Sequence, residues 1–224
     1  MLNRVFTLFA AAVFSMAAHA APPGPTPSPY ATLEAPQPVT TGKKIELTEF
    51  FWYRCPHCYE LEPALNAWLK KLPKDVQLRR VPVVFRDDWL PAAKLYYALQ
   101  DVGAERLHGE VFDAYHLDNL NLDNEAVLLD WVAKKGVDRN KFAASYQSFS
   151  TQSRAMQGGM LGRAFNLRGV PSFAVDGKYV TAESMTGSKP ALFATLDQLI
   201  VKARKERAAK QASKSPAKKI AVQK

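Results

Sequence analysis

Phe50-Phe51-Trp52-Tyr53-Arg54-Cys55-Pro56-His57-Cys58-Tyr59 is the stretch on which the reading of the whole chain turns. It holds both cysteines, two residues apart. Lys44 to Tyr53 reads as a buried strand, with Ile45, Leu47, Glu49, Phe51 and Tyr53 on one face under period-2 alternation. Leu61, Leu65, Trp68, Leu69 and Leu72 then follow at helical spacing. That helix should end near Pro73 and kink at Pro63. A Cys-x-x-Cys at a strand-to-helix junction is the layout of a thiol–disulfide redox centre.

The position suits the chemistry. A free thiol titrates at about 8.5 and is mostly protonated at neutral pH. A sulfur at a helix N-terminus meets free backbone N–H groups and the positive dipole end, where thiols can titrate at roughly 3.5–7.5. Lowering a pKa by about four units takes ~5.5 kcal/mol. A helix terminus supplies about 0.3–2 kcal/mol. The balance must come from direct hydrogen bonds and from His57. Stabilising the reduced thiolate also makes the disulfide a stronger oxidant, so His57 points toward disulfide donation. Zinc needs four ligands, and no further cysteine exists. The other histidines are His19, within the first twenty residues, and His108 and His116 farther on. A structural disulfide between residues 55 and 58 would close too small a loop to stabilise much.

The amino terminus reads as a secretory signal over residues 1–20. Arg4 is followed by an apolar run and an Ala18-His19-Ala20 cleavage site. Export places the cysteines in an oxidising compartment. Residues 21–38 hold seven of the fifteen prolines and are expected to form an extended leader or spacer. The formal charge of +9 is unevenly placed. Residues 202–224 hold nine of the 30 Lys and Arg and one of the 21 acids, leaving 21–201 neutral. Residues 209–224 are expected to be a basic, disordered tail. Such a tail could meet a membrane surface or another polyanion, but no aromatic residue interrupts its lysines, so base stacking to nucleic acid is not expected.

Val76 to Phe85 reads as a second strand, with Pro82 arguing for an edge or a bulge. Helical patterns follow near 91–101, 104–116, 123–135 and 138–164. Strand character returns at Val170 to Val180, split by a hairpin signal at Asp176-Gly177. A last helix is expected from Ser188 to Ala208. This order gives one α/β domain over 39–208 with a helical insertion at about 89–166. Arg168-Gly169-Val170-Pro171 lies far along the chain from the cysteines, and a proline opening a strand can be cis.

Glu49-Phe50-Phe51, Cys55-Pro56-His57-Cys58-Tyr59 and Arg168-Gly169-Val170-Pro171, in this order around a helical insertion, resemble the DsbA family of exported bacterial thiol:disulfide interchange proteins. The likeness spans roughly Tyr30 to Ala208. It implies a thioredoxin-like fold with an inserted helical domain. A depressed thiol pKa and an oxidising potential are known properties of that family and are implied with it. Cys55 would be the exposed sulfur attacked by substrate, and Cys58 its buried partner. Pro56 and His57 would tune the potential. Val170, before a cis Pro171, would offer its backbone to substrate. Glu49 would be a buried acid under the site, paired with Arg80 where relatives place a lysine, and could influence proton transfer at Cys58. The resemblance implies a periplasmic monomer that needs no metal or cofactor beyond its Cys55–Cys58 disulfide. Its partners would be reduced, unfolded exported proteins and a DsbB-like quinone-linked membrane oxidase, with no nucleic acid. The competing readings are a disulfide isomerase or reductase, and a peptide-binding chaperone with incidental redox activity.

Overall fold

A computed structural model describes residues 28–214 of the chain. The expected signal peptide, the first part of the leader and the last ten residues lie outside the described residues. Among the described residues no helix is long and apolar enough to cross a membrane.

β2 (Ile45–Phe51) is the middle of the active-site half of the sheet and is buried along its whole length. It pairs in parallel with β3 (Val76–Pro82) and antiparallel with β4 (Ser172–Val175). β4 continues through Asp176-Gly177 into β5 (Tyr179–Thr181). Both are central residues of a turn closed by Lys178 N–H donating to Val175 O at 3.1 Å, and both have positive φ, 55° and 66°, as a type I′ turn requires. With β1 (Ala31–Thr32) at the other edge, the strand order is β1-β5-β4-β2-β3. β3 is therefore an edge strand, which is how Pro82 is accommodated.

β1 fixes part of the extended leader on the sheet. It pairs with β5, Leu33 N–H donates to Lys178 O at 2.9 Å, and the Leu33 side chain is buried. Proline-rich sequence suits an extended backbone, but an open sheet edge with an apolar slot beside it captures that backbone.

α1 (Pro56–Leu69) and α8 (Lys189–Lys214) cover one face of the sheet, where Leu47, Leu61, Leu65, Phe173, Leu192 and Leu196 form a buried cluster. α1 ends at Leu69, earlier than Pro73, and runs through Pro63 as one element. α8 runs six residues past Ala208, the end read from the sequence. Arg204 to Asp75 and Arg207 to Asp176 tie it down, and Ala208-Ala209-Lys210-Gln211-Ala212 are strong helix formers. Residues 209–214 are thus helical, not an unstructured tail. A short α7 (Glu183–Thr186), unforeseen from the sequence, precedes α8.

The insertion comprises α2 (Leu90–Asp101), α3 (His108–His116), α4 (Glu125–Lys134), α5 (Arg139–Tyr146) and α6 (Phe149–Ala164). The expected single helix over 138–164 is two. Ser148 has extended backbone and its side chain accepts from Thr151 N–H at 3.1 Å, capping α6 and ending α5. α6 returns to the sheet so closely that Gly158 and Gly159 lie against the carbonyls of Pro82 and Val84. The core of the insertion is continuous with Phe51, Tyr53, Cys55 and Cys58 at the end of β2.

Candidate active site

Cys55 is the N-cap of α1 and Pro56 occupies its first turn. Proline is preorganised there, because its missing N–H would have no helical partner anyway. Cys55 O accepts from Tyr59 N–H at 3.1 Å, which closes the first turn beneath the sulfur. Both cysteines are reduced. Cys55 is 7% exposed and Cys58 3%, so the expected exposed sulfur is in fact recessed. The cause is the loop before β4, whose Val170 O lies 3.4 Å from Cys55 Sγ and accepts its S–H when the thiol is protonated. The Val170–Pro171 bond is cis.

The two sulfurs differ in electrostatics more than in exposure. A hydrogen bond from the Cys58 side chain is the largest influence on Cys55. With the backbone N–H groups of Cys58 and His57 and the His57 charge, it outweighs burial and brings the thiol from 9.0 down to about 6. That change corresponds to about 4 kcal/mol. The helix terminus alone supplies at most about 2 kcal/mol, so the hydrogen bonds dominate. Cys58 moves well upward, through burial first and then through the bond it donates to Cys55. His57 is largely exposed, with Nδ1 3.5 Å from Glu60 Oε2.

Beneath the cysteines the parallel register sets Glu49 opposite Arg80, and Arg80 Nε donates to Glu49 Oε2 at 2.9 Å. The expected pair is thus formed. Sequence reasoning missed its neighbours. Glu62 lies one helical turn after Cys58 on the buried face of α1. That i, i+4 spacing was the available signal. His108, weighed above only as a metal ligand, is buried with Nε2 3.5 Å from Glu62 Oε1, and neither atom has a hydrogen-bond partner. Its Nδ1 lies 2.8 Å from Tyr53 Oη. With Nε2 facing a carboxylate, Tyr53 is the donor to Nδ1. His116 Nε2 donates to Tyr53 O at 2.7 Å, so two histidines of α3 bracket the last aromatic residue before the cysteine loop.

Burial pushes His108 down, so at neutral pH it is an uncharged ring. Arg80 is then the cation facing two carboxylates. Burial works against the Glu62 charge, but His108 beside it first, and then Arg80 and the Asn66 amide, outweigh it and hold Glu62 low. Glu49 is the group left to take up a proton. Burial raises it to about 7 despite Arg80, and the Glu62 charge adds to the rise.

A groove of about 780 Å³ opens beside the cysteine loop. His57, Val170, Pro171, Leu33, Phe165 and Met185 are among the residues that line it. Leu33 enters this wall only because β1 joins the sheet.

Residues 81–194 match the family model of the DSBA-like thioredoxin domain. The chain is 41% identical over 173 residues to the thiol:disulfide interchange protein DsbA of Burkholderia cepacia, covering 76% of this chain and 82% of that one. It is 36% identical to the Pseudomonas syringae DsbA over 92% of this chain and 96% of its relative. The crystal structure of Pseudomonas aeruginosa DsbA superposes with a TM-score of 0.75 at 36% identity, covering 82% of this chain and 95% of that one. The oxidoreductase NmDsbA1 of Neisseria meningitidis gives 0.71 at 31%, covering 81% and 94%. With the cysteine pair at a helix N-terminus, the cis-proline loop beside it and a helical insertion in a thioredoxin-like sheet, this chain belongs to the DsbA family of thiol:disulfide oxidoreductases.

Proposed function

We propose that the protein donates the Cys55–Cys58 disulfide to reduced, unfolded proteins in the periplasm, where its residues 1–20 would direct it. A substrate thiolate attacks Cys55 Sγ. The new bond joins substrate to Cys55, and the old bond breaks with its electron pair on Cys58. The Cys58 thiol is held well above its ordinary range, so its sulfur takes up a proton as it leaves. Glu49, at about 7, is poised to hold and pass that proton. A second substrate thiolate then attacks the substrate sulfur of the mixed disulfide. Cys55 departs as a thiolate stable at neutral pH, which makes it the better leaving group. The substrate loses two electrons and gains a disulfide, and the protein keeps the electrons as a dithiol. Val170 O and Pro171 position an extended substrate segment along the groove. A DsbB-like quinone-linked membrane protein accepts the electrons in turn, and the protein acts as a monomer.

The observation that carries this reading is the opposed pair of sulfurs, one held as an anion and its neighbour held protonated. The test is the pH dependence of iodoacetamide alkylation of Cys55 in reduced protein, run beside oxidation of a reduced, unfolded substrate. A midpoint near 6 with stoichiometric transfer of one disulfide is expected. A midpoint near 9, or full oxidase activity in Cys55→Ser, overturns it.

A further inference from the structure

The end of the molecule away from Cys55 collects lysines from three separate segments. β2 runs toward the active site, so its start, just after Lys43 and Lys44, lies at the far end. α1 runs back from Cys55 and delivers Lys70, Lys71 and Lys74 to the same end. α8 begins beside the first turn of α1, where Lys189 Nζ donates to Glu60 O at 2.7 Å. It then descends to the far end, where Arg204 meets Asp75 and Arg207 donates to the carbonyls of Gly42 and Lys43. Lys205 and Lys210 lie on this part of α8. All seven lysines are exposed.

The acids at this end are already engaged. Asp75 is paired with Arg204, Asp176 with Arg207, and Glu206 with Lys178 and Lys202. Asp197, two turns before Arg204, accepts from Trp68 Nε1 at 3.2 Å. Among the described residues none of the seven lysines forms an ion pair. The pole therefore carries uncompensated positive charge on a body whose residues 21–201 are formally neutral.

The kind of cation indicates the kind of partner. The arginines here, whose planar forks would grip a single phosphate or carboxylate bidentately, are occupied by aspartates. The free groups are lysines, point charges on flexible stems. No aromatic ring is exposed among them for a base to stack on. Mobile point charges spread across one end suit a broad array of anions in which no single anion is read. α8 also projects past the pole, and the sequence after it adds Lys218, Lys219 and Lys224 with no acid.

We propose that this lysine pole docks on the surface of an anionic phospholipid bilayer, holding Cys55 on the side facing away from the lipid. α1 alone separates Cys55 from the pole by roughly 20 Å. That exceeds the Debye length of ~8 Å at physiological salt, so docking and thiol chemistry are electrically independent.

The experiment is co-sedimentation of residues 21–224 with phosphatidylethanolamine–phosphatidylglycerol vesicles and with phosphatidylcholine vesicles. Binding to the anionic vesicles alone is expected, lost when NaCl rises from ~0.1 to ~0.5 M. Combined Lys43→Glu, Lys44→Glu, Lys70→Glu and Lys71→Glu should weaken it at least about a hundredfold. Its rate of disulfide transfer to a reduced, unfolded protein should be unchanged, which also shows that the variant is folded. The same four positions changed to Gln should give an intermediate loss. Equal binding to both vesicle types overturns the proposal. So does binding to heparin or DNA with none to anionic vesicles, and so does loss on truncation after Lys214 with the four-Glu variant unaffected. Vesicle binding and disulfide transfer are separate readouts, so either can fail alone.

Discussion

Bringing the Cys55 thiol from 9.0 to about 6 ties the stability of the reduced protein to pH with a definite sign. The folded state prefers the thiolate. Its contribution is complete above the unfolded value near 9, shrinks as pH falls, and is gone below about 6. The disulfide form has no such thiol. The stability gap between reduced and oxidised protein should therefore shift in favour of the reduced form between pH ~6 and ~9, by up to about 4 kcal/mol. Urea denaturation of both forms across that range measures it, and a gap independent of pH would refute the thiolate assignment. His57→Ala should move the alkylation midpoint up from about 6 but leave it well short of 9.0, because the Cys58 and backbone hydrogen bonds remain. Arg80 makes the complementary case. Removing it strands the Glu49 carboxylate inside the sheet, so Arg80→Met should cost ~3 kcal/mol in urea at pH 8. The cost should shrink toward pH 5 as Glu49 protonates. A loss unchanged between the two pH values would mean that Arg80 acts through packing alone.

The glycines of α6 are an element-scale device. Alanine normally favours a helix over glycine by about 1 kcal/mol. At Gly159 the added carbon would run into the Val84 carbonyl, which is backbone and cannot swing aside. Overpacking of this kind costs about 1–3 kcal/mol, so it should win. Gly159→Ala is expected to destabilise the protein, whereas Gly109→Ala, in the open first turn of α3, should stabilise or leave it unchanged. A pair of urea melts decides, and equal effects at the two sites would remove close α6–β3 packing from the account. β1 shows the same logic from the other side. Two residues of strand suffice to bring Leu33 into the groove, so the leader helps to build the wall of the site that substrates are proposed to use.

Over the whole molecule, one buried cluster runs from Phe51 and the cysteines through Tyr53 to Leu95, Phe112, Leu128 and Phe142. The insertion is not a separate body with its own core. Native-state hydrogen exchange should give the slowest amides of β2 and those of α2 the same opening free energy, and Phe112→Ala should lower both by about 3–5 kcal/mol. If Phe112→Ala loosened only the insertion, the shared core would be disproved.

The sequence by itself determined the redox centre, the α/β order with its helical insertion and the Asp176-Gly177 hairpin, and it narrowed the second strand to an edge or a bulged one, which the strand order resolved as an edge. Each of these rests on local rules: a cysteine spacing, a two-residue turn, a proline that cannot sit in a central strand. Glu49 and Arg80 were also foreseen, but through family likeness; what joins them is parallel register between strands whose pairing no local pattern specifies. Tertiary structure alone decided the rest. It placed Val170 O over Cys55 and recessed the sulfur, set Glu62 and His108 face to face, drew Ala31–Leu33 into the sheet, and gathered three lysine segments at one pole. Hydrophobic periodicity tells a side chain to be inside, but not which distant partner it will meet there, because burial is non-directional and contact depends on how whole elements stack.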